Sequence, residues 1–339
     1  MATAHEQRQM KERLDYIDIA KGLGIILVVL SHSEYWELMY YTSAFFVPIF
    51  FFCSGYTSTR KNISLNTCFR RQAIKLLKPY LFFSILLLLC FHDFSLRAIA
   101  GIVYSRYCLY PFGTEPDICH FMIVGNYPMW FLTCMVIAYL LYDLLIYYPR
   151  YQYWLIGIYL VATTGATHLP ILLPWSLDTA PLMAVVMYGG TMANRYLSPS
   201  MQKWEWTFII PYLVLLPFCS DINISVRMYG FNMLTYLLAA LTGCIVVIWL
   251  SRHLQGTLVG KGLQQIGVHS LTIFCIEIPF ILIGKQLSVS ILPEMSSLQT
   301  AIITSFIQLI IALTGGYLLS ILLHKNEYIR KNWPINKAK

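Results

Sequence analysis

The chain has 339 residues, 58% of them apolar and only 12% charged, with a mean hydropathy of +0.61 and a net charge of +8. A water-facing surface needs about 25% charged residues, so a soluble globular fold is excluded and lipid is expected around most of the chain. The cations fall in short clusters between apolar runs, as membrane loops do, which argues against a nucleic-acid partner.

A hydrocarbon core of ~30 Å takes about 20 helical residues at ~1.5 Å each. Residues 1–13 are polar, and no small-residue cleavage site follows the first apolar run, so that run is expected to be retained as a helix. In chain order the apolar runs predict spans at 16–33, 41–58, 79–92, 129–148, 152–171, 178–194, 206–219, 230–250, 265–286 and 298–323. The expected fold is all-α, a polytopic membrane bundle of about ten transmembrane helices with both termini cytoplasmic. It divides into a cytoplasmic segment at 1–13, a transmembrane domain at 14–324 and a basic tail at 325–339. With this topology 19 of the 24 Lys and Arg lie on the side of the termini, Arg97, Arg106, Arg227 and Lys285 lie opposite, and Lys21 falls inside the first span. That asymmetry is what the positive-inside rule demands.

Between the second and third spans, residues 59–78 read as a basic loop containing an amphipathic helix, and 93–128 form the longest external segment. Tryptophans and tyrosines recur near span ends (Trp36, Tyr80, Trp130, Trp154, Trp175, Trp204, Trp206), and most of these suit interface anchors. The nine cysteines include no CxxC pair and mostly sit in apolar runs, so they read as small hydrophobes rather than metal ligands. Cys108 and Cys119 share the external segment and could pair.

Function is sought where lipid makes polarity costly, about 2.5–3.5 kcal/mol for a charge at helix centre on insertion scales. Lys21 and His32 lie eleven residues apart on the first span. At about 100° and ~1.5 Å per residue they share one face, separated by roughly 16 Å along the axis. The plain alternative is that Lys21 snorkels and pairs with Asp18, while His32 caps the helix at the interface. Glu277 falls mid-way along the ninth span, where a carboxyl either hydrogen-bonds inside the bundle or lines a wet cavity; the cavity is the favoured expectation. Asp143, nearer a span end, is expected to reach water. Arg70, Arg71, Lys75 and Lys78 make a cationic helix face suited to phosphate groups, or to anionic lipid.

In this order, several segments resemble the membrane-bound acyltransferase 3 family. They are Leu14-Asp15-Tyr16-Ile17-Asp18-Ile19-Ala20-Lys21-Gly22 followed by His32, and Phe46-Val47-Pro48-Ile49-Phe50-Phe51-Phe52-Cys53-Ser54-Gly55-Tyr56. The basic loop running into Pro79-Tyr80, then Trp130-Phe131-Leu132, Tyr188-Gly189-Gly190 and Ile266-Gly267-Val268-His269-Ser270-Leu271 complete the set. The resemblance covers spans one to nine and leans toward sugar O-acetylases of the fucose acetylase type. Two departures stand out. The family's frequent Arg-x-x-Arg is represented only by Arg71 with Lys75 or Lys75 with Lys78, and Glu277 stands where many members carry His.

The resemblance implies an O-acyltransferase of a bacterial inner membrane. It would move acetyl from acetyl-CoA, a co-substrate rather than a resident cofactor, to a glycan or lipid-linked sugar acceptor. Lys21, Arg70, Arg71, Lys75 and Lys78 would then hold the CoA phosphates. His32 would serve as general base or acyl carrier, with Glu277 orienting it, while Trp130 and Ser54 would contact substrate. A transporter or flippase of lipid-linked sugars shares the composition. Such proteins often show internal repeats, and none is visible in this sequence.

Overall fold

The computed structural model describes residues 4–34, 39–58, 64–106, 108–111, 127–197, 202–292 and 297–325. Helices follow one another along nearly all of it: α1 (Ala4–Ser31), α2 (Met39–Thr42), α3 (Pro48–Tyr56), α4 (Leu65–Phe91), α5 (Leu96–Tyr104), α6 (Trp130–Tyr147) and α7 (Gln152–Ala166). After these come α8 (Ala180–Tyr196), α9 (Ile209–Leu215), α10 (Met233–Leu254), α11 (Leu258–Val268), α12 (Ser270–Ile291) and α13 (Ser297–Lys325). The only sheet among the described residues pairs Ile222–Asn223 with Met228–Tyr229, antiparallel.

Most of each predicted span is helical, but among the described residues five helices are long and apolar enough to cross a membrane: α4, α6, α10, α12 and α13 from Leu298. The others depart for local reasons. α1 runs unbroken from Ala4, so most of the polar N-terminal segment continues the first helix, which also carries Asp15, Asp18 and Lys21. The 41–58 run is not one helix: the chain turns through residues 43–47 and restarts at Pro48, whose missing N–H is tolerated at a helix start. The 206–219 run alternates 3-10 and α turns, with Pro211 and Pro217 interrupting the ladder. At 265–286 the helix breaks at His269, which ends α11 and precedes α12. From Leu65 onward the predicted basic loop and the third span, by contrast, form the single 27-residue α4, which absorbs Pro79 internally; residues 59–63 of the loop lie outside the described residues.

α1 lies at the centre and packs against α11, α10, α12 and α3. Lipid offers no hydrophobic drive to bring helices together, so close approach relies on small residues. A Cβ on Gly267 would stand 1.7 Å from the Asp18 carbonyl oxygen, and one on Gly22 would stand 2.1 Å from that of Leu263. The same device joins α3 to α8, where a Cβ on Gly55 would meet Met187 O at 1.8 Å and one on Gly190 would meet Phe52 O at 2.1 Å. The glycines of four sequence motifs are therefore backbone-to-backbone crossings.

Candidate active site

His32 sits in the turn that ends α1, its amide hydrogen-bonded to Val29 O at 3.2 Å. That turn is tied to neighbouring helices: Lys285 Nζ of α12 lies 2.7 Å from Glu34 Oε1, and the Glu34 amide donates to Gln308 Oε1 of α13 at 3.3 Å. Across it, α12 brings Glu277 within reach, with Oε1 3.2 Å from His32 Nδ1. Glu277 is fully buried at 0% exposure, whereas the imidazole is 19% exposed. The favoured expectation of a cavity-lining Glu277 is therefore corrected. The carboxylate stands behind the imidazole, and His32 alone of the pair lines the adjoining space.

That space is a cavity of about 390 Å³ bounded by His32, Ser31, Ser43, Trp130, Asn223 and Ser225 together with apolar side chains. Trp130 opens α6 and is buried, so it belongs to this wall and not to a lipid-facing anchor. Tyr80 is likewise interior, donating its hydroxyl to Ile102 O at 2.6 Å, while Trp154, Trp204 and Trp206 are exposed as anchors should be.

A second cavity, of about 220 Å³, lies along α1 toward its N-terminus and is bounded by Asp18, Lys21, Phe50, Ser54, Leu76 and Leu132 among others. Lys21 Nζ is 3.3 Å from Asp18 Oδ1 and the side chain remains 34% exposed, so the i,i+3 pair of the plain alternative does form at the rim. The two sequence-predicted residues of α1 therefore do not open into one continuous space. Phe131 and Phe274 line both cavities and stand between them.

Ser54 reaches the inner cavity, but its hydroxyl donates to Phe50 O at 2.8 Å, which leaves it poorly placed as a nucleophile. The four cations of α4 are all exposed, and none lines the Lys21 cavity. Arg70 and Arg71 flank a separate shallow groove with Asn66, Thr67 and Ile74. Helical geometry explains the separation. Leu76, which does line the inner cavity, points about 140° away from Arg71 at about 100° per residue. Asp143, expected to reach water, is buried on α6 with its Oδ1 4.0 Å from Cys68 Sγ.

Sequence reasoning missed one set of residues entirely. Arg106 and Arg227, counted as external loop charges, are buried around Asp178. Arg106 donates to Asp178 Oδ1, to Leu173 O at 3.0 Å and to Ser225 O. Asp178 Oδ2 accepts from the Leu173 amide at 2.9 Å and lies 3.8 Å from Arg227 Nε, while Arg227 also donates to Ala166 O and Leu169 O. Burial pulls the Arg227 guanidinium below its usual range, and Asp178 opposes that pull. The cluster fixes the Asn223–Ser225 wall of the outer cavity. Its one sequence signal was an aspartate abutting an apolar run at Leu177-Asp178-Thr179. Cys108 is buried near Leu172 and Val226, and Cys119 lies outside the described residues.

The helical bundle thus holds a buried Glu277 carboxyl 3.2 Å from the His32 imidazole, at the wall of one of two neighbouring cavities. Residues 14–325 match the acyltransferase 3 family, described as an acyltransferase domain, and the chain belongs to that family. It is a membrane acyltransferase. No curated protein matches the chain.

Proposed function

We propose that this acyltransferase moves an acetyl group from cytoplasmic acetyl-CoA to a hydroxyl of a cell-surface glycan or its lipid-linked precursor, with His32 as general base. The observation that carries the reading is the His32–Glu277 pair, 3.2 Å apart at the wall of the outer cavity. A carboxylate against Nδ1 fixes the tautomer that leaves Nε2 to take a proton. The acceptor oxygen attacks the thioester carbonyl carbon while its proton passes to Nε2. The C–S bond then breaks, and the imidazolium returns that proton to the departing thiolate, so an ester and CoA thiol are the products. Glu277 stabilises the intervening imidazolium.

The inner cavity is smaller than the roughly 300–1,000 Å³ usual for a whole ligand, so it suits the pantetheine arm, with the nucleotide outside its rim. Lys21 stands at that rim, and Arg70 and Arg71 offer an exposed phosphate groove further along α4. The outer cavity's Trp130 ring, Asn223 and serines suit a sugar face and its hydroxyls. We place the protein in a bacterial inner membrane with ten crossings and cytoplasmic termini, which puts the Lys21 end on the side where acetyl-CoA is made. The test is transfer of radiolabelled acetyl from acetyl-CoA to the host's membrane glycan fraction by protein in nanodiscs. His32→Ala should abolish it, and near-normal transfer by that variant would end the general-base reading.

A further inference from the structure

Three consecutive residues of α6 change sides of the partition. Trp130 lines the outer cavity, Leu132 the inner one, and Phe131 both. Phe274 of α12 is the second residue shared, and its ring lies 5.0 Å from that of Phe131, centroid to centroid. Phe131 is also packed edge-on against Phe50 at 5.7 Å and Phe51 at 5.0 Å, so its ring is held from the α3 side as well. One helical turn beyond Phe274, the same helix carries Glu277 to His32. Phe131 and Phe274 are thus the two residues that the cavities have in common.

We propose that Phe131 and Phe274 form a closed septum that separates the thioester from water and acceptor until the donor's acyl end displaces the rings. The inference rests on the acyl-transfer reading for what passes through, but the barrier itself is a property of the two rings. Its chemical purpose follows from the competing reaction. A thioester exposed in the outer cavity beside a general base would lose its acyl group to water, giving acetate, CoA thiol and a proton. Excluding water until both substrates are seated suppresses that loss. Side chains at a cavity wall can change rotamer without moving a helix, so the bundle need not open. Phe131 and Phe274 are in this sense positioning residues: they decide when the thioester carbonyl meets His32, and take no proton themselves.

The barrier can be read without turnover. Ser43 lines the outer cavity only, so Ser43→Cys reports reagent that has crossed the septum. In sealed vesicles, with an impermeant methanethiosulfonate confined to the Lys21 side, its labelling is followed by site-resolved mass spectrometry. Adding Phe131→Ala or Phe274→Ala should speed labelling about tenfold, and the same substitutions without the reporter should raise acceptor-independent acetyl-CoA hydrolysis to a similar degree. Phe131→Leu, a milder cut, covers the case in which an alanine variant does not fold. Equal labelling rates with and without the rings would overturn the septum. Faster labelling while no variant, nor the unaltered protein, consumes acetyl-CoA would leave the septum standing and remove the acyl-transfer reading instead.

Discussion

Glu277→Gln keeps the size and reach of the side chain and deletes its charge. The imidazolium formed when His32 takes a proton would lose a partner 3.2 Å away. At an effective dielectric of about 20, two unit charges at that spacing attract by about 5 kcal/mol, a ceiling for the loss. Losing one group that stabilises charge developing in the transition state costs about 2.7–4 kcal/mol in practice, and each ~1.4 kcal/mol on the barrier is tenfold in rate. A fall in kcat of about 10²–10³ is expected, with KM for acetyl-CoA unchanged, because the charge acts on a species present only during reaction. Folding should respond in the opposite sense. A buried carboxylate is costly, so Tm in nanodiscs should hold or rise. Initial rates and melting are measured on one preparation. A Glu277→Gln protein with wild-type kcat, beside an inactive His32→Ala, would refute the orienting role. A parallel fall in kcat and Tm would make Glu277 a structural residue.

Other consequences are direct. Gly267→Ala and Gly190→Ala each force a Cβ to within 1.7 and 2.1 Å of a backbone oxygen; each should lower stability by about 1–3 kcal/mol, seen as a drop in Tm, and an unchanged melt would contradict the crossings. Asp178→Asn leaves two buried guanidinium groups without their counter-charge and should cost about 3–5 kcal/mol. The double variant Arg106→Ala/Asp178→Asn should lose less than the sum of the single ones, and strict additivity in melting would argue against a coupled cluster. Arg70→Ala/Arg71→Ala should raise KM for acetyl-CoA with kcat unchanged, and the wild-type KM should climb with salt; a salt-independent KM would detach that groove from the donor.

The sequence determined what is written within one or two helical turns. Its apolar runs became helix, the Lys21–Asp18 pair formed at the rim, and His32 emerged at the end of the same helix near a cavity. The breaks were less legible. Pro48, Pro211 and Pro217 stop or distort helices that hydropathy alone would have run through, whereas Pro79 lies inside α4 without ending it. Only the tertiary structure decided what the candidate site is. It set Glu277 behind His32 and out of both cavities, and turned Arg70 and Arg71 away from Lys21. It also drew Arg106 and Arg227 inward around Asp178, and stood two phenylalanines across the path along α1. The physical reason is that periodicity fixes which residues form a helix, while the partner each side chain meets depends on how helices cross. In this bundle those crossings are set by glycines such as Gly22 and Gly267, which let backbones touch and so fix, from far along the chain, which side chains share a space.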